Sequence, residues 1–194
     1  MNSLSKVGNI HISILDQDFV KGMIKSPEFH GGKKRIHIGS PAIQVTNKVI
    51  NDRIQHMKSV GYNYEDYFIE FNDDILIEVK QDLKSNYNIS YDHACSVIVP
   101  PGQCMPIHSD TYSYLMRYMK SDYPDVSYDL ETDVRRCLVF LNDWSPGQSL
   151  GADNEIKYNW KRGDVYQWGY KAPHWCSNAS MEPIIFFEIT GLEI

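Results

Sequence analysis

Several features are missing from this sequence, and each absence removes a class of protein. No apolar run approaches the ~20 residues that a bilayer-spanning helix needs, so no membrane segment is expected. The opening Met1-Asn2-Ser3-Leu4-Ser5-Lys6 lacks the charged and apolar regions of a signal peptide, which makes the cytoplasm the expected compartment. Basic residues are few: 19 Lys and Arg stand against 25 Asp and Glu, a net charge of -6. A phosphate-backbone binder needs clustered cations to displace counterions. Nucleic acid is therefore not an expected partner, although short basic patches such as Lys33-Lys34-Arg35 occur. The four cysteines, Cys95, Cys104, Cys137 and Cys176, form neither a CxxC pair nor a dense framework, and they read as reduced thiols filling an interior. There is no internal repeat and no low-complexity segment.

What is present suits one globular domain of 194 residues, with 42% hydrophobic and 23% charged residues. Residues 1–91 read as N-terminal strands and helices, and 92–194 as a β core. In the first 45 residues, short apolar runs around a Gly-rich loop at His30-Gly31-Gly32 read as edge strands and loops. From Thr46 to Val60 the residues Val49, Ile50, Ile54 and Met57 recur at helical spacing, with Thr46 or Asn47 as cap and Gly61 as stop. A second helix follows, capped by Asp73, striped by Ile75, Leu76, Val79 and Leu83, and ended by Ser85-Asn86-Tyr87-Asn88. Both helices are expected to pack on one face of a sheet.

After Tyr91 the pattern changes to short β-type runs separated by turn signals, the mark of a sandwich or barrel. The runs are Ala94–Val99, Cys104–His108, Arg136–Leu141, Glu155–Trp160, Val165–Trp168, His174–Ser177 and Ile184–Thr190. Their spacing suits a jelly roll. Between the second and third runs lies a long, tyrosine-rich and acidic connection, Thr111 to Val134, placed where a substrate lid or a plain surface excursion would sit.

The chain is organised around Val97 to Asp110: a strand, a Pro100-Pro101-Gly102-Gln103 turn, and a second strand carrying His108 and Asp110. Side chains two apart on an extended segment share a face, so His108 and Asp110 can converge on one point while Ser109 faces away. A third ligand is available in His174, which follows the Trp160-Lys161-Arg162-Gly163-Asp164 turn and begins a later strand. Two histidines and one carboxylate make the facial triad typical of non-haem Fe(II) oxygenases.

This order of motifs resembles the 2-oxoglutarate and Fe(II)-dependent oxygenases over roughly Ala94 to Gly191. The stretch Arg135 to Trp144 is similar to the prolyl-hydroxylase strand that ends in Tyr-Leu-Asn, with Phe140 where the tyrosine stands. Trp160 to Asp164 with His174 and Asn178 looks more like the aspartyl/asparaginyl β-hydroxylases. The resemblance implies a double-stranded β-helix of the jelly-roll or cupin-like kind, mainly β with two supporting N-terminal helices. It implies Fe(II) held by His108, Asp110 and His174, with 2-oxoglutarate and O2 consumed together to hydroxylate a peptide side chain or small metabolite. Arg136, Arg135, Phe140, Asn178 and Trp168 are the expected co-substrate contacts. In both subfamilies an arginine after the distal histidine binds the C5 carboxylate, yet no Lys or Arg follows His174 here. Arg136 or Arg135 is the substitute, because one of two neighbours on a strand must face the barrel, and an inward guanidinium needs an anion. Two other readings compete: a cupin-like metal enzyme without 2-oxoglutarate, whose usual HxH and later Glu are absent, and a non-catalytic β-sandwich binding module.

Overall fold

The computed structural model describes residues 4–13, 17–27, 32–36, 67–72 and 77–193. Its elements in chain order are β1 (Ser5–Asn9), α1 (Gln17–Lys25), β2 (Gly32–Ile36), β3 (Tyr67–Asn72), α2 (Ile77–Tyr87), β4 (Ser90–Val99) and β5 (Cys104–His108), then α3 (Ser113–Asp122), β6 (Val134–Phe140), β7 (Gln148–Ala152), β8 (Glu155–Lys157), β9 (Asp164–Gln167), β10 (His174–Asn178) and β11 (Ile184–Leu192). From β4 onward the strands distribute between two sheets. One runs β9-β6-β11-β4 and the other β5-β10-β7-β8, with every pairing antiparallel. That is the eight-stranded jelly roll, or double-stranded β-helix. The N-terminal strands among the described residues extend the first sheet, giving the order β1-β9-β6-β11-β4-β3-β2. In the smaller sheet β5 and β8 are the edges.

Alternation along the strands builds two apolar layers. Val97, Val99, Leu138, Phe140, Leu150, Tyr166, Ile184 and Phe186 fill the space between the sheets, with Trp160 from the loop after β8 stacked flat on Phe140 at 3.9 Å. The opposite parity, Ile98, Cys137, Val139, Phe187 and Ile189, packs outward against Val20 and Met23 of α1 and Val79 and Leu83 of α2. Because β11 is covered on both faces, its sequence reads as a continuous apolar run rather than an alternation.

The differences from expectation have local causes. β1 and β2 are the two edges of the large sheet, but Gln17–Lys25 is a helix, with Val20, Met23 and Ile24 turned to the core. The helix expected over Thr46–Val60, its Gly61 stop, the Asp73 cap and the His30-Gly31 part of the Gly-rich loop lie outside the described residues. β7 was not anticipated, since Gln-Ser-Leu-Gly-Ala hides its alternation behind small residues. Gln148, Leu150 and Ala152 nevertheless face inward. At Gly151 a Cβ would run into the Trp175 indole of β10, so the ring lies directly on the β7 backbone. The connection from Thr111 to Val134 contains α3, whose Leu115 and Met119 form a satellite cluster with Tyr112, Val134 and Leu192.

Polar pins hold these layers together. Asp164, in the turn after Trp160, takes Lys6 Nζ at 2.7 Å and Asn9 Nδ2 at 2.9 Å, fastening β1 to β9. Asp92 on β4, its side chain 5% exposed, pairs with Lys80 at 2.8 Å and with Lys84, both on α2. Burial works to raise the Asp92 pKa, but the two ammonium groups outweigh it and hold the carboxyl below its ordinary value. A depressed carboxyl pKa contributes stability that is present above the unfolded value of about 3.9 and is lost as pH falls through the folded one. Asp92→Asn should therefore cost roughly 1.5–3 kcal/mol at pH 7, the range for hydrogen bonds to charged groups. In urea melts the gap between variant and parent should close below about pH 4; a gap independent of pH would assign the loss to packing.

Candidate metal centre

The Pro100 to Gln103 turn sets the position of β5. Gln103 N–H donates to Pro100 O at 3.1 Å, Gly102 adopts φ 76°, and Gly102 N–H donates to Asn178 O at 2.8 Å, so the turn is tied to the end of β10. Antiparallel pairing then puts His174, the first residue of β10, opposite His108, the last of β5. Asp110 stands two residues beyond the strand, on its exit, and Ser109 is exposed as expected. The ligand atoms of His108, Asp110 and His174 all lie within 4.8 Å of one another. His174 Nε2 is 3.5 Å from Asp110 Oδ2, His108 Nε2 is 4.0 Å from Asp110 Oδ1, and the two imidazole centroids are 4.2 Å apart.

The donor set fits a divalent transition metal. His174 Nδ1 is 2.9 Å from Ala172 O, a contact that needs the proton on Nδ1 and leaves Nε2 with its lone pair. That Nε2 is buried without a hydrogen-bond partner. Burial first, and the nearby Arg136 charge second, push the His174 pKa down to about 3, so the ring is neutral at physiological pH. For Asp110, burial alone would raise the pKa, but the Arg136 guanidinium leads the interactions that outweigh it and keep the carboxylate ionised.

Behind the triad runs a row of charge in which Arg136 is buried and Asp110 and Glu188 are half-buried. Arg136 faces the interior with Leu138 and Phe140, and is 8% exposed. Its Nη1 donates to Asp110 Oδ2 and its Nη2 to Glu188 Oε2 at 2.7 Å. Burial opposes the guanidinium charge, but these two carboxylates overcome it and raise the pKa further. Glu188 also accepts from Cys95 Sγ at 3.4 Å. Trp168 closes the wall, its ring 5.0 Å from His174 and 5.4 Å from the Arg136 guanidinium carbon. A cavity of about 210 Å³ opens beside Asp110, lined by His93, Tyr112, Tyr114, Arg136 and Glu188 among others.

The remaining expected contacts lie elsewhere. Arg135 points outward, pairing with Glu193 and donating to Thr132 O at 2.6 Å. Phe140 is core, stacked on Trp160 and edge-on to Tyr166 and Phe186. Asn178 sits at the far end of β10 from His174, its Nδ2 on Val99 O and Glu182 O and its Oδ1 on Ser180. Its amide functions are engaged in joining β4 to the β10–β11 turn. Glu188 was missed by sequence reasoning, although a lone carboxylate in Ile184-Ile185-Phe186-Phe187-Glu188-Ile189 was the available signal: a buried acid demands a buried partner.

No protein-family model and no curated protein matches the chain. Solved structures do. The Cupin_2 domain of an XRE family transcriptional regulator from Enterobacter cloacae is 14% identical, covering 52% of this chain and 81% of its own, with a TM-score of 0.36. A cupin-superfamily sugar phosphate isomerase from Silicibacter pomeroyi is 11% identical, covering 84% and 73%, with a TM-score of 0.41. A predicted oxalate decarboxylase from Thermotoga maritima is 12% identical, covering 66% and 83%, with a TM-score of 0.40. Likeness this distant carries neither chemistry nor substrate to the present chain.

The centre makes a direct prediction. His108→Ala, Asp110→Ala and His174→Ala should each abolish divalent-metal binding in anaerobic titrations while circular dichroism stays that of the parent. Parental metal affinity in any one variant would remove that residue from the ligand set.

Proposed function

We propose that the protein is a mononuclear Fe(II) enzyme that works at the His108, Asp110 and His174 triad on a small molecule or peptide side chain, without 2-oxoglutarate as co-substrate. The observation behind this reading is the convergence of three ligand atoms around a buried, unpartnered imidazole nitrogen. Iron held there would supply a redox-active Lewis acid with positions left open for O2 and an organic ligand. The chain supplies the rest. Ala172 O fixes the His174 tautomer, Arg136 keeps Asp110 charged, and Trp168 walls the centre against water. Substrate enters by the 210 Å³ cavity beside Asp110, where Thr111 to Leu115 form one wall. That wall supports reading the Thr111 to Val134 connection as a cover over bound substrate.

The 2-oxoglutarate-dependent hydroxylase implied by the sequence resemblance remains a second reading, favoured by one observation: Arg136 is a buried cation beside the triad. Two others weigh against it. Both terminal nitrogens of Arg136 already hold carboxylates of the protein, and β11 offers interior Ile184 and Phe186 with Glu188 where the family has its arginine. A C5 carboxylate on the terminal nitrogens of Arg136 would have to displace Glu188 and leave that half-buried acid without its cation, a loss below the roughly 3–5 kcal/mol of a fully buried pair.

Anaerobic Fe(II) titration followed by 2-oxoglutarate separates the readings. Iron binding with no visible charge-transfer band on addition of 2-oxoglutarate is the expected result. A weak visible band after that addition would move the hydroxylase reading to the front, and a chain that binds no iron would sink both.

A further inference from the structure

At the end of the barrel that holds the Pro100 to Gln103 turn, opposite the end where His108 and His174 meet, α1 and the neighbouring turns frame a cavity of about 540 Å³. Its floor is apolar. Val20, Leu141 and Ile185 are buried there, and Ile24 is half-buried. Asn142 fixes that floor by donating through Nδ2 to Pro183 O at 2.8 Å and accepting the Ile185 N–H at 2.9 Å, which ties the exit of β6 to the start of β11. At the lip stands Met181, 89% exposed, on a turn whose backbone is hydrogen-bonded on either side by Asn178, Gln148 and Ser180. A large apolar side chain is thus held out in water beside an apolar hollow, and methionine adapts readily to what it covers.

The rim carries charge of the opposite sign to the chain. Lys21 and Lys25 stand one helical turn apart on α1, next to Val20 and Ile24, and Arg162 adds a cation from the turn between β8 and β9. The Arg162 backbone is set from both sides, its N–H donating to Asp143 Oδ1 at 2.8 Å and its carbonyl accepting from Asn9 Nδ2 at 3.3 Å. Asp143 and Glu182 also line the cavity, the first of them engaged by that amide. Lys21 has a loose, exposed partner in Asp18 at 3.4 Å, but Lys25 and Arg162 form no ion pair among the described residues. In a chain of net charge -6 these cations are a local reversal of sign around one apolar hollow. The floor favours an alkyl body and the rim an anionic head, within a volume typical of small-molecule sites.

We infer that this cavity binds a medium-chain fatty acid, its alkyl chain on Val20, Ile24, Leu141 and Ile185 beneath Met181, and its carboxylate at the rim among Lys21, Lys25 and Arg162. An alkyl chain suits the floor better than a peptide does: the amide N and O of Asn142 are already engaged, so the backbone groups of a peptide lying there would go unmatched. The site uses no residue of the metal centre.

The test is calorimetric titration of decanoate into the full chain at low salt, with octanoate as the shorter homologue and decyltrimethylammonium as the same tail with the opposite charge. Decanoate should bind roughly tenfold or more tighter than octanoate, at about fourfold per buried methylene. Decyltrimethylammonium should bind at least severalfold more weakly than decanoate. The double variant Lys25→Gln with Arg162→Gln should weaken decanoate severalfold, and by less at high salt, as exposed ion pairs do. Met181→Ser, at an exposed position, should also weaken it. Iron binding should be parental in these variants and decanoate binding parental in His108→Ala, so each reading can fail without the other. Absence of decanoate binding, equal affinity for decanoate and decyltrimethylammonium, no gain from octanoate to decanoate, or parental decanoate affinity in both the double variant and Met181→Ser overturns the proposal.

Discussion

The guanidinium of Arg136 is the point on which the site turns. A cation placed in the interior of a β-barrel is untenable alone, and the protein answers with two carboxylates from different strands, Asp110 after β5 and Glu188 on β11. This arrangement does more than neutralise. It joins the small sheet to the large one through a polar row embedded in apolar packing, and it fixes the rotamer of the candidate ligand Asp110 from behind. Second-layer contacts of this kind orient first-layer ligands and tune their basicity. The row carries one surplus negative charge, which a divalent ion between Asp110 and the histidines would reverse.

Much of this was legible in the residues. The Pro-Pro-Gly-Gln turn, the His108 and Asp110 pair, and His174 at the head of a later strand are local signals, and antiparallel register converts them into one cluster. The inward parity of Arg136 also followed from period-two alternation with Leu138 and Phe140. What that parity could not supply was the identity of the partner. Glu188 sits 52 residues away, on a strand buried on both faces, where apolar continuity hides which residues point inward. Sequence reasoning therefore supplied an external anion for a charge that the fold already matches.

Other differences from expectation share that origin. Asn178 resembles a site residue by spacing from His174, but four residues of extended chain carry it to the opposite end of β10, where backbone carbonyls claim its amide. Phe140 has the right strand and the right parity, yet Trp160 occupies its face. α1 was read as loop because its apolar residues occupy little more than two turns, and the large sheet's outer face, invisible in sequence, supplies the packing that makes so short a helix stable.

β5, the strand that delivers His108 and leads to Asp110, is an edge of the small sheet and, among the described residues, pairs with β10 alone. An ion shared by its exit and by His174 would thus act as a clasp on an edge strand. Without that clasp, β5 is free to fray, and a frayed edge presents unpaired N–H and C=O groups as a template for other chains. Metal supply would then govern the solubility of this protein as well as its chemistry.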